Sequence, residues 1–231
     1  KISGSTFYGN RQGMYAYRTS ALVDGCTFDH NSWYGLSSYY ATPTFTKCSF
    51  SYTGYSPVDG KYYGIGVTSY QSNITFVRCT VDNDWYGMDI RYSTVYGDNI
   101  SFTLSEQGIH STKSDLFLTG CNFTLDQYYG IFSTFFSGGV IEKCRFTCET
   151  FGVYLEFFSP AEVRNCTFTE CKYGLKLEEC ADRSVVRGCQ FDRNSCGAFV
   201  VGSYAKIYSN RFANNINYSL RCIGSASDIR Y

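Results

Sequence analysis

Hydrophobic and polar positions along this chain follow a template that returns at almost constant spacing: an apolar residue, two others, Cys, any residue, Phe, then Tyr-Gly-apolar-x-apolar. Its clearest copy is Val163-Arg164-Asn165-Cys166-Thr167-Phe168 with Lys172-Tyr173-Gly174-Leu175-Lys176-Leu177. The Cys position is taken in turn by Ser5, Cys26, Cys48, Cys79, Ile100, Cys121, Cys144, Cys166, Cys189 and Asn210, in steps of 21 to 23 residues apart from one of 31. Two places later stand Phe7, Phe28, Phe50, Val81, Phe102, Phe123, Phe146, Phe168, Phe191 and Phe212. A fixed period of this length marks stacked repeats that share one core.

A second anchor is glycine: Gly13, Gly35, Gly64, Gly87, Gly108, Gly130, Gly152, Gly174 and Gly197, with Ser219 in the last coil. It follows the first anchor by eight or nine residues everywhere except Gly64, which is sixteen after Cys48. The long step therefore predicts one surface loop inserted near residues 54–62. After the glycine, the first and third positions are mostly apolar or small, as in Ile65 and Val67, Met88 and Ile90, Val153 and Leu155, Leu175 and Leu177, and Ala198 and Val200. Period two predicts strands, and a coil this short buries a face only when its neighbours stack on it.

The prediction is an all-β solenoid of about ten coils, one domain over residues 1–231, roughly 48 Å long at one strand spacing per coil. Frequent Gly, Asn, Asp and Ser exclude a helical array, and leucines are too few for a leucine-rich repeat. The pattern resembles the right-handed parallel β-helix repeat of pectate lyases, phage tailspikes and many surface proteins. Lys1-Ile2 begins within a repeat, and Ile229 stands where an eleventh coil would place its apolar residue. The expectation is a segment of a longer solenoid, or a subunit stacking end to end on copies of itself as a homopolymer.

Twenty basic and twenty acidic residues give a net charge of zero, which argues against nucleic acid as a partner. No stretch is long and apolar enough to span a membrane. Five sequons occur, at Asn73, Asn99, Asn122, Asn165 and Asn217. Alternation turns Asn99, Asn122 and Asn165 outward, so an extracellular, secreted glycoprotein carrying N-glycans is expected, against the alternative of chance sequons in a chain rich in Asn, Ser and Thr.

Of the twelve cysteines, Cys26, Cys48, Cys79, Cys121, Cys144, Cys166 and Cys189 are predicted to form an inward ladder of small apolar groups. Cys148 and Cys171, in adjacent coils, form the disulfide candidate. There is no Cys-x-x-Cys, and the two histidines, His30 and His110, lie far apart along the stack, so neither a metal nor any cofactor is expected.

Aromatic residues precede the glycines in two files. Tyr34, Tyr63, Tyr86, Tyr129, Phe151, Tyr173 and Tyr218 stand immediately before the anchor, and Trp33, Tyr62, Trp85 and Tyr128 one place earlier. The second file is the candidate surface for polysaccharide stacking or for an interface.

Enzymes of the resembled fold use clustered acids on a strand face with an Arg or Lys nearby. The one place where acids gather here is Asp82 and Asp84, with Asp29 a coil below and Asp89 and Arg91 downstream. Solvated loop acids account for them equally well. The Asn-Thr-Asp, Asp-Asp, Gly-His-Gly and Arg-Ile-Lys motifs of polygalacturonases are missing. The resulting expectation is a structural, non-enzymatic rod segment of a surface filament or appendage. A carbohydrate-binding or adhesive module is the alternative, and a polysaccharide lyase or hydrolase using Asp82 and Asp84 is the second.

Overall fold

The computed structural model describes residues 1–54, 63–124, 126–135, 137–148, 150–180 and 184–230. These residues form a parallel β-solenoid of about ten turns with no helix, as the repeat predicts. Each turn contributes one strand to each of three parallel sheets, of eleven, ten and ten strands. The first sheet carries the apolar residue before the Cys anchor, the second carries the Cys-x-Phe Phe, and the third carries the six-residue strands around the glycine, such as Tyr86–Arg91 and Gln107–Thr112. Among the described residues no helix is long and apolar enough to cross a membrane.

The core is built from repeated files of like side chains, with Val81 in the phenylalanine file and Ile100 in the cysteine file. Phe28, Phe50, Phe102, Phe123, Phe146, Phe168 and Phe191 are buried and stack face to face, with ring centroids 4.7 Å apart at Phe28–Phe50 and 4.8 Å apart at Phe168–Phe191. The glycine file lies against them. A Cβ on Gly87 would stand 2.6 Å from the Gly108 carbonyl oxygen, so any side chain there pushes neighbouring rungs apart.

Strand register revises one anchor. Tyr34 pairs with Ile65, and Tyr86 pairs with the same residue, so Gly66 rather than Gly64 aligns with Gly35 and Gly87. Val67 and Ser69 therefore point inward, and Ile65 joins the outer face. The inserted loop, predicted near 54–62, falls mostly outside the described residues, as does Tyr62.

The strands leave backbone N–H groups at the three corners of each coil, and these need partners because they are buried. Each corner solves this with a side chain from the next coil. Between the third and first sheets, Ser72 N–H donates to Ser93 Oγ at 3.1 Å, and Ser93 N–H to Ser114 Oγ at 3.0 Å. Between the second and third sheets, the amide of Asn10 donates to Asn31 Oδ1, that of Thr53 to Asp84 Oδ1, that of Ser105 to Asp126 Oδ1, and that of Cys171 to Asn194 Oδ1. Between the first and second sheets the Ser5 N–H donates to Cys26 Sγ at 3.5 Å and the Cys189 N–H to Asn210 Oδ1 at 2.9 Å, while the anchor thiols themselves donate to main-chain carbonyls of the preceding coil, as Cys166 Sγ does to Ile141 at 3.4 Å.

Candidate functional site

The seven anchor cysteines are each no more than 2 % exposed. Cys148 and Cys171 are both thiols, adjacent in the second corner file, where the Cys148 N–H donates to Cys171 Sγ at 3.5 Å. The described residues contain no His, Cys, Asp and Glu cluster able to hold a metal. All five sequon asparagines are exposed. Asn99 and Asn165 sit in the left-handed region, φ 53° and 54°, at a corner where Gly25, Gly120 and Gly188 also have positive φ. Asn tolerates that conformation better than most residues, so the fold itself gives a reason for Asn at these two places.

Asp82 and Asp84 do not form a working pair. Asp82 is half-buried on the outer face of the second sheet, whereas Asp84 turns into the corner and is 2 % exposed. Burial pushes the Asp84 carboxyl well above the ordinary range, against the hydrogen bonds from Thr53 that act to lower it. Among the described residues its Oδ2 has no hydrogen-bond partner. Asp84 stands where Asn31 and Asn194 stand in other coils, as one member of a structural ladder.

Trp33, Trp85 and Tyr128 are exposed, but register interrupts the file they were expected to form. Gly64 lies between the two tryptophans, its N–H aside, with Trp85 N–H donating to its carbonyl, and Glu106 follows Trp85 toward Tyr128.

The outer face of the third sheet gathers chemistry that the sequence had dispersed. Every strand of this sheet turns outward the second and fourth residues after the glycine. Register places Asp89 beside His110 and Arg91 beside Thr112. Asp89 Oδ1 lies 3.1 Å from His110 Nδ1. Arg91 reaches the same carboxylate with two nitrogens, Nη2 to Oδ2 at 2.9 Å and Nε to Oδ1 at 3.2 Å. Burial acts to raise the Asp89 carboxyl, but the hydrogen bonds from His110 and Arg91 outweigh it and hold the group below its usual range. An ionised Asp89 makes His110 Nδ1 the donor, which leaves Nε2 as the basic ring atom. Among the described residues Nε2 has no hydrogen-bond partner.

Aromatic rings frame this centre. The His110 ring lies between Tyr86 and Phe132, with centroids at 5.5 and 5.4 Å. Burial and the neighbouring Asp89 charge raise the Tyr86 phenol, so it remains a neutral O–H. Toward the N-terminus, Tyr17, Tyr39 and Tyr70 occupy successive rungs below Arg91. Toward the C-terminus, Tyr154 donates to Glu178, and Lys176 Nζ lies 2.6 Å from the same Glu178 oxygen.

Asp89 and Arg91 are visible in the sequence as neighbours of Asp84, but His110 is not, because its contact with Asp89 depends on rungs 21 residues apart. The signal available was positional: both stand two places after a glycine anchor.

Several solved structures share this fold. A chain of Geobacillus virus E2, ORF18, matches 99% of this one at TM-score 0.57 and 12% identity, over 52% of its own length. The Dettilon tailspike protein gp208 matches 99% at TM-score 0.54 and 12% identity, over 54% of its length. The periplasmic alginate epimerase AlgG matches 90% at TM-score 0.51 and 14% identity, over 75% of its length. The chain thus spans about half the length of the first two of these proteins. No curated protein matches it.

These likenesses correct the expectation of a non-enzymatic chain. A carbohydrate-active enzyme stands among the proteins that share the fold, so the missing polygalacturonase motifs do not exclude catalysis. The model of the right-handed beta helix region matches residues 1–124 and 89–230. Repeat, register and match agree: the chain belongs to the right-handed β-helix family.

Proposed function

We propose that the chain acts on an acidic polysaccharide laid along the outer face of the third sheet, with Asp89, His110, Arg91 and Tyr86 as the reacting centre. The observation that carries this reading is the 3.1 Å contact between His110 Nδ1 and the buried Asp89 carboxylate, which Arg91 also pairs with. A buried acid that fixes one imidazole nitrogen as donor turns the other into an oriented base. The base adjoins a guanidinium whose side chain is 56% exposed, so its outer edge can pair with a sugar carboxylate.

That combination suits removal of the proton on the carbon beside a uronate carboxylate. His110 Nε2 takes the proton, and the electron pair moves into the carboxylate, where Arg91 balances the growing charge. The intermediate then collapses in one of two ways. It either expels the neighbouring glycosidic oxygen, which takes the Tyr86 proton, or takes a proton from solvent water on the opposite face. The first route is elimination and the second is epimerisation. AlgG, an alginate epimerase, lends this reaction class support by analogy of fold.

The test is incubation with alginate and pectate in deuterated water. Expected results are ultraviolet absorbance from unsaturated uronate, or deuterium at the carbon beside the carboxylate, and loss of either signal in His110→Gln. Neither signal from any uronate polymer would refute the reading. The likeness to the Dettilon tailspike favours a second setting for the same surface, as a carbohydrate-directed segment of an extracellular, glycosylated appendage. Electron microscopy of the native protein separates fibres from isolated rods.

A further inference from the structure

Farther along the third sheet's outer face, a depression of about 170 Å³ is lined by Lys172, Tyr173, Ser195, Cys196, Asn217, Tyr218 and Arg221. It spans the strands Tyr173–Glu178, Cys196–Val201 and Tyr218–Ile223. Two cations flank it, and no carboxylate among the described residues forms an ion pair with either. Their neighbours are rings: the Arg221 guanidinium lies 5.1 Å from the centres of both Phe199 and Tyr218, and Lys172 Nζ 6.0 Å from Tyr173. Lys176, on the same face, differs because Glu178 neutralises it.

We infer that this depression is a second anion site, which takes the carboxylate of a uronate residue on the polysaccharide chain whose reacting residue sits at His110. The inference rests on the acidic-polysaccharide reading above. Unneutralised cations beside aromatic walls match a sugar ring that carries a negative group: the ring packs on Tyr173 or Tyr218 while Lys172 and Arg221 meet the charge. Register sets the separation. The strand holding His110 and the middle strand of the depression are four rungs apart, roughly 19 Å at one strand spacing per rung. A short oligouronate at His110 cannot reach the depression, and a long one occupies both sites.

Binding of uronate disaccharide and octasaccharide, prepared from alginate and from pectate, is measured by calorimetry on the His110→Gln protein, where no turnover intervenes. Adding Lys172→Gln and Arg221→Gln together is expected to weaken octasaccharide binding about fivefold, with the difference shrinking as salt rises, and to leave disaccharide affinity unchanged. Circular dichroism shows whether the variant stays folded, and Lys172→Arg is expected to retain the affinity. Octasaccharide binding that survives both substitutions overturns the second site and leaves the reacting centre standing. Failure of both lengths to bind the His110→Gln protein overturns both. An equal loss with a neutral octasaccharide reassigns the depression to ring stacking and overturns its role in charge recognition.

Discussion

Replacing Asp84 by Asn should make the protein more stable at neutral pH. Asp84 is 2 % exposed, its Oδ1 accepts the Thr53 N–H at 2.8 Å, and its Oδ2 is buried with no hydrogen-bond partner among the described residues. In the asparagine coils the second atom of the amide is used: Nδ2 of Asn31 donates to the Phe7 carbonyl, and Nδ2 of Asn194 to that of Phe168, each at 3.0 Å. Burial raises the Asp84 carboxyl well above its ordinary value of 3.8. The folded chain therefore holds a proton that the unfolded chain releases, and stability falls as pH rises above the unfolded value toward the folded one. Holding that proton at pH 7 costs at most about 4 kcal/mol, from 1.36 kcal/mol for each pH unit above the unfolded value. Asn removes the cost and keeps a donor in the place of the acid's O–H. The expected gain is about 1–4 kcal/mol at pH 7, shrinking toward zero near pH 4. Urea midpoints of both proteins across that range measure it. A variant no more stable than the parent at pH 7, or stabilised equally at both ends, refutes the reasoning.

Other predictions concern the core, the corners and the reacting centre. Phe168→Ala, which removes one ring from the stack, should cost about 3–5 kcal/mol by the same urea assay. Gly87→Ala should cost about 1–3 kcal/mol because its Cβ meets the Gly108 carbonyl. Asn165→Ala, measured on enzymatically deglycosylated protein, should lose about 1 kcal/mol while Asn165→Gly loses little, since the backbone there has φ 54°. Asp89→Asn should lower turnover of the uronate substrate about a hundredfold or more while leaving the thermal midpoint within a few degrees, because it releases the tautomer of His110.

Phe168, Cys166 and Gly174 carried the fold into the sequence, because a core that repeats its own cross-section must repeat its residues. Other features were harder to read. Gly64 passed for an anchor because the inserted loop hides which of two nearby glycines continues the file, and only pairing with Tyr34 and Tyr86 selects Gly66. The buried ladder of Ser72, Ser93 and Ser114 looked like turn composition, since serine is common in exposed turns too. Asp84 attracted attention as a surface acid although the corner position it shares with Asn31 and Asn194 turns it inward. The centre at Asp89 and His110 was the least legible. Outward positions escape the packing that makes core residues repeat, so one Asp and one His appear as unrelated substitutions until the rungs are aligned.

The corner ladders have a direction. The Ser72 amide waits for Ser93, and that of Ser93 for Ser114, just as Thr53 waits for Asp84 and Cys171 for Asn194. In each case the earlier coil donates and the later coil completes it. A chain emerging from the ribosome N-terminus first therefore finishes each coil with the next one to appear, so the assembly can proceed as a zipper whose order is the order of synthesis.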